Sequence, residues 1–116
     1  MFVGAPPAKR FSAYTTEDSD GQTMLKDHAY KAVTDGFVAA HVAINTAEKI
    51  LGWVGLTDDP KAGDEIASQE ADADDSHKYV SFDVAKDEYF EIVATSGAPF
   101  IRWKSVGNLA KPIDQD

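Results

Sequence analysis

From Val80 to Val84 apolar and polar side chains alternate, with Val80, Phe82 and Val84 on one phase and Ser81 and Asp83 on the other. A period of two puts the apolar set on one face of an extended chain, so the segment predicts a half-buried strand. After the polar break Ala85-Lys86-Asp87, the run Glu88 to Thr95 is rich in β-formers (Tyr89, Phe90, Ile92, Val93, Thr95). A second break, Ser96-Gly97-Ala98-Pro99, precedes a third run from Phe100 to Ser105. Three short strands with tight connections predict an antiparallel set, whose apolar face calls for a covering sheet.

The upstream chain supplies that cover. Phe37 to Ile44 (FVAAHVAI) is apolar at nearly every position, the pattern of a central strand covered on both faces. Asn45-Thr46-Ala47-Glu48 reads as a hairpin loop, which makes Lys49 to Leu56 (KILGWVGL) the partner strand. Gly52 and Gly55 flank Trp53, and a glycine inside a strand marks a bulge or a close backbone approach. Thr23 to Thr34 carries both a helical face (Leu25, His28, Ala32) and a strand face (Tyr30, Ala32, Thr34), with a strand near Ala29 to Val33 the better match. The turn Thr34-Asp35-Gly36 follows it.

Thr57 to Asp75 differs in character. Eight carboxylates face the single Lys61 there, which accounts for −7 of the net charge of −9. The segment predicts a solvated excursion with a short helix over Gly63 to Ala71, Asp64 near its positive end and Ile66 and Ala67 turned inward. The two ends are less regular. Met1 to about Gln22 is an arm stiffened by Pro6-Pro7 that carries Phe2, Val3, Phe11 and Tyr14, and the tail after Ser105 keeps Leu109, Pro112 and Ile113. Large apolar side chains on such arms gain most by packing against a neighbouring subunit. Phe2, Val3, Phe11, Tyr14, Leu109 and Ile113 are therefore the candidate partner-binding residues.

Composition narrows the classes. A chain of 116 residues, 43% apolar and 10% aromatic, suits one domain and is too hydrophobic for wholesale disorder. No apolar run approaches the roughly 20 residues of a membrane-spanning helix, and Met1 to Phe11 lacks the apolar core of an export signal. Excess negative charge opposes nucleic acid and anionic membranes, since Lys9-Arg10 are the only adjacent bases. With no cysteine, disulfides and thiol chemistry are excluded, which fits assembly in a reducing cytoplasm.

The motifs of catalysis are missing. Asp72-Ala73-Asp74-Asp75 begins like a calcium loop, but its sixth and twelfth positions are His77 and Asp83 where glycine and glutamate are needed. His28, His41 and His77 share no metal-ligand spacing, and His41 lies in an apolar strand as a core or interface histidine would. No GxSxG, GxxxxGK or GxGxxG occurs, so neither a catalytic residue nor a cofactor is assigned. Trp53, Trp103, Tyr89 and Phe90 are the aromatic residues available to stack on a sugar, although strand aromatics mostly belong to cores.

Asp35-Gly36-Phe37-Val38, Gly52-Trp53-Val54, Val80-Ser81-Phe82-Asp83-Val84, the run Lys86 to Val93 and Ile101-Arg102-Trp103 together resemble a small β-sandwich domain of tailed-phage virion proteins. The resemblance covers about Ala29 to Trp103. In that family a DGFV strand, a hairpin ending in a G-aromatic-V strand, a V-KGDYF-V strand and a final I-W strand build a jelly-roll-like sandwich. Two departures stand out: Lys86-Asp87-Glu88 replaces the usual Lys-Gly-Asp turn, and the acidic excursion is longer than the family's connection.

The expectation is an all-β, antiparallel, jelly-roll-like β-sandwich over 23–105, with an N-terminal arm over 1–22 and a C-terminal tail over 106–116. The resemblance implies a non-enzymatic virion structural protein, assembled in the host cytoplasm. A chain that opens on Met1 without heptads or collagen-like repeats fits a capsid decoration or cement subunit, bound to the major capsid protein and to copies of itself as a dimer or trimer. The other expectation is a receptor- or carbohydrate-binding knob of a tail or head fibre.

Overall fold

The computed structural model describes residues 10–42, 49–62, 64–70, 78–94 and 97–115, with side chains left out over 62–70. Among the described residues it is an all-β sandwich of eight strands. In chain order these are β1 (Ala29–Lys31), β2 (Gly36–Val42), β3 (Lys49–Gly55), β4 (Asp64–Glu70), β5 (Lys78–Val84), β6 (Tyr89–Ala94), β7 (Phe100–Ser105) and β8 (Ile113–Asp114). One sheet has the order β4-β3-β6-β1-β8 and the other β5-β2-β7, every pair antiparallel.

The sequence pattern matches β1 to β3 and β5 to β7 but not β4 or β8, and two of the expected pairings differ. β2 does not form a hairpin with β3: it lies between β5 and β7, while β3 lies between β4 and β6 in the opposite sheet. Both edges of β2 are occupied in register, Val38 opposite Phe82 on one side and Trp103 on the other, so no edge is left for β3. Likewise β5, β6 and β7 are not a three-stranded meander, because β6 crosses to the other sheet. The proposed hairpin loop 45–48 lies outside the described residues.

Among the described residues the acidic excursion forms strand over Asp64–Glu70 in place of the helix expected over Gly63 to Ala71. Its described part is a 3-10 turn at Pro60–Ala62 followed by β4, the edge strand beside β3. Along β3 the backbone groups on that side need partners, and a polar, charged strand such as Asp64–Glu70 is well suited to a sheet edge. The β3/β4 register shifts between Gly52 and Trp53, where the glycine pattern marks a bulge.

The core is made by the inward phases of both sheets. Val38, Val80, Phe82, Val84, Ile101 and Trp103 from one meet Tyr30, Ile50, Phe90 and Ile92 from the other. Trp103 and Phe90 stack across the interior with ring centroids 5.6 Å apart and an interplanar angle of 4°. Tyr30, the cross-strand neighbour of Phe90, also packs on its ring, and its phenol oxygen accepts the Leu25 N–H at 2.8 Å. Trp103 Nε1 donates to the Ala110 carbonyl at 2.9 Å, so its polar atom is satisfied inside the core.

Two glycines allow close approaches, Gly52 between the two sheets and Gly36 between β2 and β7 of one sheet. A Cβ at Gly52 would run into the Phe82 ring, and one at Gly36 into the Trp103 ring and the Lys104 carbonyl. The departure in the β5–β6 turn is absorbed by Asp87, which adopts φ 71°. That left-handed conformation is ordinarily glycine's and Asp is among the few other residues that tolerate it. The turn is held by the Glu88 carboxylate accepting the Ala85 N–H at 2.7 Å and by the Asp87 N–H donating to the Ala32 carbonyl at 2.8 Å.

Both ends join the sandwich. From Arg10 the N-terminal segment runs antiparallel beside β7: Thr15 and Trp103 exchange N–H···O=C bonds at 2.8 Å each, and the Ser12 N–H donates to the Ser105 carbonyl at 2.7 Å. Asp18 is fully buried at the bend that follows, its carboxylate accepting the N–H groups of Asp20 and Gln22. The tail crosses back through the Ser105 hydroxyl, which accepts the Ala110 N–H, and ends as β8 on the edge of β1.

Candidate interaction surface

The outward phase of β5, β2 and β7 forms a face with an unusual content. The register aligns three rows across it: Tyr79–His41–Phe100, Ser81–Ala39–Arg102 and Asp83–Phe37–Lys104. In the first row His41 lies between two rings, 5.6 Å from the Tyr79 centroid and 5.4 Å from that of Phe100. Tyr79 is 59% and Phe100 53% exposed, near the starts of β5 and β7 at one end of the sheet. β2 is therefore not covered on both faces as its composition implies. Its outer side chains are half-buried by neighbouring strands and the arm.

The N-terminal segment completes the face. Lys104 Nζ lies 4.5 Å from the Phe11 ring centroid, 4.9 Å from that of Tyr14 and 5.4 Å from that of Phe37. The Arg102 guanidinium sits 4.7 Å from the Tyr14 ring. Aromatic faces attract cations through the ring quadrupole, so Phe11 and Tyr14 fasten their own segment to the two basic residues of β7. They remain 48% and 40% exposed and add to the aromatic area. At the Phe11 end the face opens into a groove of ≈ 340 Å³ bordered by Asp35, Asp83, Val84 and Val106.

The six residues expected to bind partners thus divide. Phe11 and Tyr14 come together on this face, Phe2 and Val3 lie outside the described residues, and Leu109 and Ile113 are exposed elsewhere, Ile113 on β8 of the other sheet. The sequence reading missed Tyr79, Phe100 and Phe37. The available signal was phase: Tyr79 falls on the outward phase of the alternation that buries Val80, Phe82 and Val84, and Phe100 on the outward phase opposite Ile101 and Trp103. Of the aromatic residues available for a sugar, Trp103 and Phe90 are fully buried core residues, while Trp53 and Tyr89 are partly exposed on the other sheet.

On the outside of the five-stranded sheet Glu91 is almost fully buried and Lys61 of the 3-10 turn covers it, Nζ 3.2 Å from Oε2. Hydrogen bonding to Glu91 and its charge raise the Lys61 pKa above 10.5. A raised lysine pKa adds stability that is fully present below 10.5 and lost as pH climbs through the folded-state value. Lys61→Met should lower stability at pH 7 by about 1 kcal/mol, since the ammonium is half exposed and screened. Urea titrations of both proteins should show this gap shrinking above pH 10.5; a gap constant to pH 12 would refute the assignment.

No group of three or more His, Asp or Glu able to hold a metal occurs among the described residues, and His77 and Asp72 to Asp75 lie outside them. Among the described residues no helix is long and apolar enough to cross a membrane. No protein-family model, curated protein or solved structure matches the chain.

Proposed function

We propose that this chain is a non-enzymatic structural subunit of a virion, a decoration or cement protein that stabilises a capsid shell by bridging neighbouring subunits. The observation that carries this reading is the aromatic face of the three-stranded sheet, where Tyr79, Phe100, Phe11 and Tyr14 leave large ring areas in water. Apolar area of this kind, bordered by Arg102, Lys104 and Asp83, is the composition of a protein-binding surface. The resemblance of the strand motifs to phage virion sandwiches supplies the class of partner, the major capsid protein.

The clamp expected of the arms passes to this face. The backbone of the N-terminal segment from Ser12 to Thr15 is already bonded to β7, so the contribution of Phe11 and Tyr14 to a partner is through their rings. Virions built with the Tyr79→Ser/Phe100→Ser variant should carry less of this protein and release their genome at lower temperature than wild-type particles. The variant's circular dichroism should match the wild type, because both side chains point away from the core. Undiminished incorporation and heat resistance would overturn the proposal.

The same exposed rings favour a second reading, a receptor- or carbohydrate-binding knob. Glycan binding by the purified domain, lost in Phe100→Ala with the fold intact, would select it.

A further inference from the structure

Among the described residues β5 is an edge strand, and the direction of its backbone hydrogen bonds follows from the register. Trp103 exchanges both of its backbone bonds with Thr15, so its N–H and C=O point away from β2. Antiparallel strands alternate these directions residue by residue. The groups of Arg102 therefore point to Ala39, those of Val38 to Phe82, and those of Ser81 and Asp83 out of the sheet on the far side of β5. The Val106 N–H donating to the Asp35 carbonyl, on the phase of Arg102, agrees with this parity.

Ser81 and Asp83 present these backbone groups with no backbone partner among the described residues. Edge strands are ordinarily protected by proline, bulges, lysine or shortness. β5 has seven residues in unbroken register with β2, contains no proline, and its one lysine, Lys78, is buried. The other edge of the same sheet is covered by the Ser12 to Thr15 segment.

We propose that β5 pairs antiparallel with β5 of a second copy of this chain, about a two-fold axis through Ser81, to make one continuous six-stranded sheet. A second copy is the occupant because the edge is self-complementary in this register. Ser81 meets Ser81, and the outward Asp83 stands opposite Tyr79, so no like charges meet. A shift that centred the axis on Asp83 would set two carboxylates together, which opposite-strand pairing disfavours. The contact is isologous and closes at two copies. It also sets the two aromatic faces side by side on one surface of the dimer, and two linked sites engage a repetitive lattice more tightly than one. The pairing stands on the edge geometry and is independent of what the aromatic face binds.

The test uses the purified full chain. Sedimentation equilibrium should find a dimer, and Ser81→Pro should be a monomer with an unchanged β-sheet spectrum, because an outward N–H on an edge strand is a position where proline is tolerated. The chain has no cysteine, so Ser81→Cys introduces the sole thiol. Residues that exchange both backbone bonds have Cα atoms about 5.5 Å apart, within disulfide range. Mild oxidation should convert Ser81→Cys to a covalent dimer at least ten-fold faster than Ser19→Cys, an exposed control remote from β5. A wild-type chain that sediments as a monomer, or Ser81→Cys cross-linking no faster than Ser19→Cys, overturns the proposal. This readout is separate from incorporation into particles, so loss of either claim leaves the other standing.

Discussion

Trp103→Ala should remove about 3–5 kcal/mol of folding stability, the range for truncating a large buried aromatic. Trp103 is fully buried, stacks on Phe90, and joins the two sheets at the point where the tail is tied back through Nε1 to the Ala110 carbonyl. Its loss leaves a cavity between the sheets and a carbonyl without its donor. Against a total of about 5–15 kcal/mol for an ordinary domain, much of the variant would be unfolded at 37 °C. Trp103→Phe keeps a stacking ring and should lose less, so the difference between the two variants reports the stack. Urea unfolding followed by circular dichroism measures both, and a Trp103→Ala midpoint equal to the wild type would contradict the packing described.

Gly36→Ala should be nearly as damaging, although it adds a single methyl. A Cβ at Gly36 would overlap the Trp103 ring, which cannot retreat because it is stacked on one side and tethered at Nε1. It would also meet the Lys104 carbonyl, part of the β7 backbone opposite Phe37. Overpacking a rigid site costs about 1–3 kcal/mol and more where backbone must move, so a loss near 3 kcal/mol and a melting temperature lower by about 10 °C are expected. Gly52→Ala has one obstacle, the Phe82 ring, and pairing it with Phe82→Leu should recover part of the loss. A Gly36→Ala protein that melts with the wild type would mean that β2 and β7 do not approach as closely as the register requires.

The alternation of Val80, Phe82 and Val84 and the β-formers from Tyr89 to Val93 were enough to give strands and a sandwich, because side-chain phase follows from local geometry. Phase fixes which face of a strand is buried but not which strand lies beside it. Phe37 to Ile44 and Lys49 to Leu56, separated by a short polar link, satisfy hairpin grammar as well as they satisfy a crossover between sheets. What decides is that β5 and β7 both compete for β2, a long-range fact without a local signature. Asp64–Glu70 escaped for the opposite reason. Its acids suit an exposed edge strand as well as a solvated helix, and its pairing with β3 settles the matter.

The site was less readable than the fold. In the sequence Phe11 and Tyr14 are apolar side chains on an arm suited to a neighbouring subunit, yet their rings meet Lys104 and Arg102 of the same chain. Tyr79 lies just before the alternation that starts at Val80, and Phe100 is only the first residue of a run, so neither stands out in the sequence. Their outward phase becomes informative only once Val80 and Ile101 are known to be buried.

The account rests on β2 being the centre strand of a three-stranded sheet that turns an aromatic face outward. Nuclear Overhauser contacts along β2 test it most directly. Cross-strand contacts from Val38 to Phe82 on one side and to Trp103 on the other are expected, with Thr15 beyond Trp103. Contacts joining Ala40 or Val42 to Ile50 or Gly52 as adjacent strands, in place of those to β5 and β7, would contradict it.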